Sequence, residues 1–406
     1  MMRYEVKKVF SRTSSKIAVL VLFLVMGVTC CFALDISYVD EEGNTQRGLD
    51  AVSKLKSAQK EWAGELDEKK ISQVIAENWR IRNSPEALAQ DITQNEIAYS
   101  RGQGIKEIRE LLNCAYAKGF REYDYYRADS LTEEMAADFY KNRTALLKEW
   151  LEGEAKDQFS DKEKQYLIER YESLKTPFYY DYMAGWVQLF EFAPTIVMIS
   201  MLILCYLVSG VFSNEFAWKS DAVFFSSEYG RNRAVLAKIK AGLCIVTAVY
   251  FAIFFVYTGI MLLYLGADGW NLQVQSSMAG WKYFYHITNL KKYLVIGAGG
   301  YIGCLFLSFL SMFVSARTKS TVMAMIAPVM VLFLPSFVGN IKSPVVNKIL
   351  GLLPDQLLQA GNALNFFNLY SIGGKIVGEI PVIIVLYAVL TAALLPALYR
   401  TYQKAV

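Results

Sequence analysis

Six stretches of the chain are apolar without regular alternation: Ile17–Leu34, Leu189–Val211, Ala241–Leu265, Leu294–Val314, Thr321–Gly339 and Ile380–Leu398. About 20 apolar residues suffice for a helix to cross the roughly 30 Å hydrocarbon core. Backbone groups in lipid must be satisfied within the segment, so each run predicts a helix. The fifth run carries Pro328 and Pro335. Between the first and second runs the pattern changes. Asp35–Gly185 is polar, and its apolar positions recur at helical spacing: Leu49, Val52 and Leu55; Ile71, Val74, Ile75 and Trp79; Leu111, Leu112 and Ala115; Phe139, Leu146, Leu147, Trp150 and Leu151; Tyr166, Leu167, Tyr171 and Leu174. Ser37-Tyr38-Val39-Asp40 followed by Glu41-Glu42-Gly43-Asn44 predicts a short hairpin. Asn83-Ser84-Pro85-Glu86 reads as a helix start, and Ser160-Asp161-Lys162-Glu163 as a capping box. The pattern predicts an all-α polytopic membrane protein. An amphipathic entry helix occupies residues 1–16, the first membrane helix 17–34, and a mainly helical domain 35–185. Helices two to six lie within 186–406, with a charged loop at 212–240.

Composition explains itself once the chain is divided this way. Overall, 54% of residues are hydrophobic, 20% charged, and the net charge is +4. Asp35–Gly185 holds 22 Lys/Arg against 30 Asp/Glu, a net of −8, while the remaining residues hold 20 against 8, a net of +12. This division excludes a single water-soluble globule and a disordered chain. Nucleic acid is excluded as a partner because +4 is a difference between two regions, not one basic surface.

The cations also orient the helices. Fourteen flank one side: Arg3, Lys7, Lys8, Arg12 and Lys16; Lys219, Arg231, Arg233, Lys238 and Lys240; Arg317 and Lys319; Arg400 and Lys404. Six lie in the short loops of the other side: Lys282, Lys291, Lys292, Lys342, Lys348 and Lys375. Both termini are therefore expected in the cytoplasm and residues 35–185 outside. The alternative for the first run is a signal peptide cleaved near Cys31-Phe32-Ala33, but cleavage would move none of the other signals, and we read an anchor. A lipoprotein anchor at Cys30 or Cys31 has a poor approach sequence in Gly27-Val28-Thr29. The outer domain has only Cys114, so no disulfide frame holds it, which suits a bacterial plasma membrane.

Candidate chemistry is sparse. His286 is the single histidine, which excludes a two-histidine zinc motif. It is expected at an interface beside Tyr283, Phe284 and Tyr285. Gly373-Gly374-Lys375 lacks the rest of a phosphate loop, and Glu133-Glu134 lacks the basic partner of a membrane protease. No cofactor, metal or catalytic residue is expected. Helices three to six carry no charge within the apolar runs; Glu191 lies near the outer end of helix two and Glu379 flanks helix six. Without a buried acid there is no ion relay, so energy for any movement must come from a partner. Gly299 and Gly303 form a small-residue face suited to a subunit contact or to packing within the chain. Two tyrosine clusters admit two readings each. As a functional surface they would receive an amphipathic peptide or lipid. Otherwise Tyr123, Tyr125 and Tyr126 belong to the domain core, and Phe178, Tyr179, Tyr180 and Tyr182 to an interfacial belt, which is the reading adopted.

The loop after helix two carries the clearest signal. Phe212-Ser213-Asn214-Glu215-Phe216-Ala217-Trp218 leads to Phe224-Phe225-Ser226-Ser227-Glu228-Tyr229-Gly230-Arg231 and then to Ala237-Lys238. Its aromatic residues are too apolar for a free loop and should pack in the interface or in a partner's groove. The stretch resembles the permease subunits of ABC-2 type transporters. The matching positions are Phe212 and Glu215, then Phe225-Ser226-Ser227 with Arg231, then Ala237-Lys238. Ser220 stands where the family often has Gly, and Glu228 where it often has Pro. The basic start Tyr4-Glu5-Val6-Lys7-Lys8-Val9-Phe10 is similar to the family's entry helix. Phe178-Tyr179-Tyr180-Asp181-Tyr182 is similar to the approach to helix two in bacterial members with a long first outer loop.

The resemblance implies a transport subunit with no catalysis of its own, a separate cytoplasmic ATP-binding subunit, and a second permease subunit beside it in lipid. It implies that Glu215 pairs with a basic group to fix the connecting helix. It also implies that Phe224, Phe225, Ser226, Ser227, Tyr229 and Arg231 contact the ATPase. The expected cargo class is a peptide, an antimicrobial or a lipid-like compound. The alternative is a receptor that binds a ligand with residues 35–185 and signals through the same loop. A membrane hydrolase lacks a convergent acid, base or metal set.

Overall fold

The computed structural model describes residues 1–338 and 343–404. In chain order the first part runs α1 (Met2–Phe10), α2 (Thr13–Ala33), β1 (Ser37–Val39), β2 (Thr45–Arg47), α3 (Leu49–Glu61), β3 (Gly64–Glu65), α4 (Glu68–Arg82), α5 (Pro85–Leu88), α6 (Ile92–Gly102), α7 (Lys106–Ala115), α8 (Phe139–Glu152), α9 (Asp161–Glu172) and β4 (Tyr179–Tyr180). The second part runs α10 (Ala184–Ser209), α11 (Asn214–Ala217), α12 (Asp221–Ser226), α13 (Arg233–Leu265), α14 (Asn289–Thr318), α15 (Thr321–Val338), α16 (Pro344–Leu350), α17 (Pro354–Leu358), α18 (Ala360–Ala363), β5 (Leu369–Ile372), β6 (Lys375–Gly378) and α19 (Glu379–Gln403).

Five of these helices are long and apolar enough to cross a membrane: α2, α10, α13, α14 and α19. The fifth apolar run differs from the others. Its apolar helix Thr321–Pro335 is shorter. At about 1.5 Å per residue it spans roughly 23 Å, less than the hydrocarbon core. Pro328 and Pro335 lie inside it, each removing a backbone donor. Gly339, where that run was expected to end, and Lys342 lie outside the described residues.

Two compact units divide the chain. One comprises residues 1–31, 190–260 and 293–406, the other 32–189 and 261–292. The second is therefore larger than the expected 35–185, because the segment between α13 and α14 belongs to it. In this polar unit α7 is the central helix: Ile108 through Ala115 are all buried. Around it pack Ile71, Val74 and Ile75 of α4, Phe139 of α8, Phe178, Tyr180 and, from the second segment, Leu272 and Trp281. Arg143 fastens that segment. Its Nε donates to the Trp281 carbonyl and its Nη2 to the Tyr283 carbonyl, both at 2.9 Å, and its guanidinium lies 3.8 Å from the Tyr171 ring centre. Asp268 accepts from Lys56 at 2.5 Å and Lys60 at 2.7 Å, both on α3. Local signals hold as expected in three places: β1 and β2 pair antiparallel, Ser84 caps α5, and Ser160 with Glu163 forms a capping box on α9.

The two tyrosine clusters exchange places relative to the reading from sequence. Tyr123, Tyr125 and Tyr126 are exposed, whereas Phe178, Tyr180 and Tyr182 are fully buried and only Tyr179 is exposed. The reason is pairing: β4 adds to β3, with Gly64 opposite Tyr180 and Glu65 opposite Tyr179, which turns alternate rings into the core. His286 sits with this unit too, its Nε2 2.6 Å from the Arg170 carbonyl oxygen.

In the membrane unit the Gly299–Gly303 face is used within the chain. A Cβ at Gly299 would stand 3.0 Å from the Ala360 Cβ, and one at Gly303 2.8 Å from Leu358 Cδ2. The small residues thus admit α17 and α18 against α14. Two of the long helices start ahead of their apolar runs and take in flanking charges. α13 begins at Arg233, ahead of its apolar run, and includes fully buried Lys238; α19 begins with fully buried Glu379. Asn368 Nδ2 donates to one oxygen of Glu379, and the other has no hydrogen-bond partner among the described residues.

Candidate functional site

α10 ends at Ser209, and the chain turns through Phe212 into α11, whose first turn holds Glu215. The partners of this carboxylate come from other helices. Lys8 Nζ of α1 lies 2.5 Å from Glu215 Oε1, and Lys238 Nζ of α13 lies 2.8 Å from the same oxygen. Tyr402 of α19 donates its hydroxyl to Glu215 Oε2 at 3.2 Å. Lys238 also donates to the Val211 carbonyl at 2.7 Å and sits 3.3 Å from Glu5 Oε2.

Four segments distant in sequence thus meet at one carboxylate. Two acids and two lysines balance in charge, which offsets the cost of removing them from water. Burial pushes the Glu215 carboxyl up, but Lys238 and Lys8 outweigh it and hold it below its ordinary value. A carboxylate so paired is a poor general base, and its contacts fasten these segments together.

An aromatic cluster closes around the node. Phe212 and Phe216 meet the Tyr402 ring with centroids 4.6 and 6.1 Å away, and Phe225 and Phe224 follow at 5.2 and 6.0 Å. Trp218 lies over Lys8 at 4.9 Å and Arg12 at 5.0 Å, binding the entry segment a second time. Ser213 Oγ is 2.7 Å from Thr321 Oγ1, which ties the start of α15 to the same turn.

α12 hangs from this node. The Ser220 amide donates to the Glu215 carbonyl at 2.9 Å, and α12 starts at the next residue. Phe225 points inward and is buried, while Val223, Ser226, Ser227, Tyr229 and Arg231 are exposed. The turn after α12 is held by Ser227 Oγ donating to the Phe224 carbonyl at 2.7 Å and by Gly230 N donating to the Ser227 carbonyl at 3.1 Å. A Cβ at Gly230 would stand 1.9 Å from the Phe224 oxygen, so only glycine permits this turn. Arg231 Nε reaches back to the Phe225 carbonyl at 3.4 Å. Asn232 Oδ1 accepts from Tyr399 at 3.2 Å and Gln403 at 3.1 Å, a second tie to α19.

The seven residues singled out by sequence therefore separate into two roles. Glu215 and Phe225 are buried and hold the segment. Ser226, Ser227, Tyr229 and Arg231 form its outer rim, with Phe224 between. Sequence reasoning did not find Glu5, Lys8 and Tyr402 as partners. The available signal was an acid placed among an excess of cations, which demands a buried base but does not name it. Among the described residues no group of three or more His, Cys, Asp or Glu is arranged to hold a metal ion.

No family model matches the chain, and no curated protein and no solved structure matches it.

Proposed function

We propose that the chain is the membrane-spanning permease subunit of an ATP-driven transporter of the ABC-2 type, exporting peptides, antimicrobials or lipid-like compounds. In this reading both termini, the Glu215 node and α12 lie in the cytoplasm of a bacterial cell, the polar unit lies outside, and α15 makes a short, proline-bent sixth crossing. A separate ATP-binding subunit docks on the exposed rim of α12 and its following turn. A second permease subunit completes the path.

The observation that carries this reading is the fastening of α12. A short amphipathic helix is hung from a buried, charge-balanced node that joins the entry helix, the exit of α10, the start of α13 and the end of α19. A push on α12 is thereby delivered to several membrane helices at once. Such a lever suits a protein whose own helices supply two packings and whose energy comes from a partner.

Copurification tests the reading. Expressed with its genomic neighbours and solubilised in mild detergent, the chain is expected to bring down an ATPase in stoichiometric amount. Recovery of the folded chain with no ATPase under any such coexpression would remove the proposal.

A further inference from the structure

The polar unit contains a cleft of about 200 Å³ between α4, α6 and α7. Arg82, Lys106 and Arg109 line it together with Tyr99 and Tyr125, and no acidic residue is among its lining. Its floor is preorganised. Buried Arg109 donates to Asn78 Oδ1 at 3.0 Å, to the Tyr125 carbonyl at 2.8 Å and to Asp129 Oδ1 at 3.0 Å, with its guanidinium 4.4 Å from the Tyr125 ring centre. Arg82 Nε lies 3.3 Å from Asp129 Oδ2, and Lys106 reaches the Tyr99 hydroxyl at 3.5 Å. An arginine fork and an ammonium beside two tyrosine rings form a receptor for a carboxylate attached to an apolar body.

Tyr99 and Lys106 are also the wall of a second cavity, of about 230 Å³. That one has the opposite character: Glu107 and Asp181 line it with Gln59 and Tyr180. Tyr180 is fully buried, yet its hydroxyl has no hydrogen-bond partner among the described residues. A buried hydroxyl left without a partner is destabilising, so it is a group that a ligand can satisfy. A cationic compartment and an acidic one share a two-residue wall, and Tyr180, whose hydroxyl is unsatisfied, is among the residues lining the second. This complements a molecule with a carboxylate at one end, amides in the middle and an ammonium at the other.

We propose that these two cavities form a binding site for short peptides, with the C-terminal carboxylate held by Arg82 and Lys106 and the amino end directed past Tyr99 toward Tyr180, Glu107 and Asp181. Binding here does not depend on what drives the membrane helices, so a chain that recruits no ATPase would still bind.

Microcalorimetry on the full-length protein in detergent tests this with two pools of mixed tripeptides, one with free C-termini and one amidated. The free-acid pool is expected to bind, and amidation to weaken binding at least about tenfold, as befits loss of a charged hydrogen bond. Arg82→Gln and Lys106→Met should each weaken the free-acid pool similarly, and Tyr180→Phe by several-fold. Both cationic side chains are partly exposed, and unchanged melting of these variants without peptide verifies their fold. Equal binding of the two pools would overturn the proposal. So would no binding of either at millimolar concentration, or binding of inorganic phosphate that the free-acid pool does not displace.

Discussion

Lys238 Nζ and Glu215 Oε1 stand 2.8 Å apart, the lysine side chain wholly buried and the glutamate nearly so. Removing one member of a buried pair leaves the other charged and unpaired, at a cost of about 3–5 kcal/mol. Glu215→Ala and Lys238→Ala are therefore expected to be destabilising variants, not silent losses of coupling. Lys8→Ala should cost less, because that side chain retains 20% exposure. Thermal unfolding in detergent measures all three. A wild-type melting point for Glu215→Ala would contradict the fastening role.

Asp268 gives a pH dependence with a definite sign. Burial pushes its carboxyl up, but hydrogen bonds from Lys56 and Lys60 outweigh it and hold the carboxyl at about 2 against an ordinary 3.8. A depressed folded value means the stabilisation is complete above 3.8 and is lost as the pH falls toward about 2. The difference in unfolding midpoint between wild type and Asp268→Asn should thus shrink across that window. A difference that stays constant from neutral pH down to pH 2 would show that the carboxylate is not held by the two lysines.

How much of this was legible in sequence follows from range. Apolar runs and caps are local, so the long helices, the β1–β2 hairpin and the Ser160 box could be read from neighbouring residues. The membership of 261–292 in the polar unit could not. Arg143 finds the Trp281 and Tyr283 carbonyls more than a hundred residues away, and nothing in the periodicity of either segment announces it. The tyrosine clusters were misplaced for a similar reason, since the β3–β4 pairing that buries Tyr180 joins Gly64 to a strand far along the chain. Lys238 entered the sequence reading as a flanking cation and as part of the Ala237-Lys238 match, with no partner named for it. Its burial depends on Glu215, and the choice of Glu215 as a candidate came from the resemblance of its loop, not from periodicity.

Cys114 reports on the joint between α7, α8 and the second segment. The thiol is buried and pushed up to about 11, chiefly by burial, so it is protonated and slow to react at neutral pH. Arg143 and Lys282 line the same small cavity. Arg143→Ala leaves the buried Trp281 carbonyl without its donor and the Tyr283 carbonyl with Gln275 in place of two donors, a loss of about 1–3 kcal/mol, and should open this joint. In a variant whose other cysteines are replaced, maleimide labelling of Cys114 is expected to be slow in the wild-type background and much faster with Arg143→Ala. Arg143→Lys should not restore protection, since an ammonium lacks the fork that reaches both carbonyls. Equal labelling rates in all three proteins would refute the account.

Gly230 separates coupling from stability. Its missing Cβ lets the chain pass the Phe224 oxygen, so Gly230→Ala must open the turn that sets the rim of α12. The ion pairs and hydrogen bonds of Glu215 do not pass through Gly230, because they run through α1, α11, α13 and α19. Gly230→Ala is therefore expected to leave the melting point close to wild type while abolishing ATPase copurification and ATP-driven export. Tyr229→Ala and Arg231→Ala, on the exposed rim, should lower both by about tenfold or less, with the fold retained. Measuring melting and copurification on the same preparations distinguishes the two levels. If Gly230→Ala melts like the wild type and still binds and drives the partner fully, the docking face lies elsewhere on the chain.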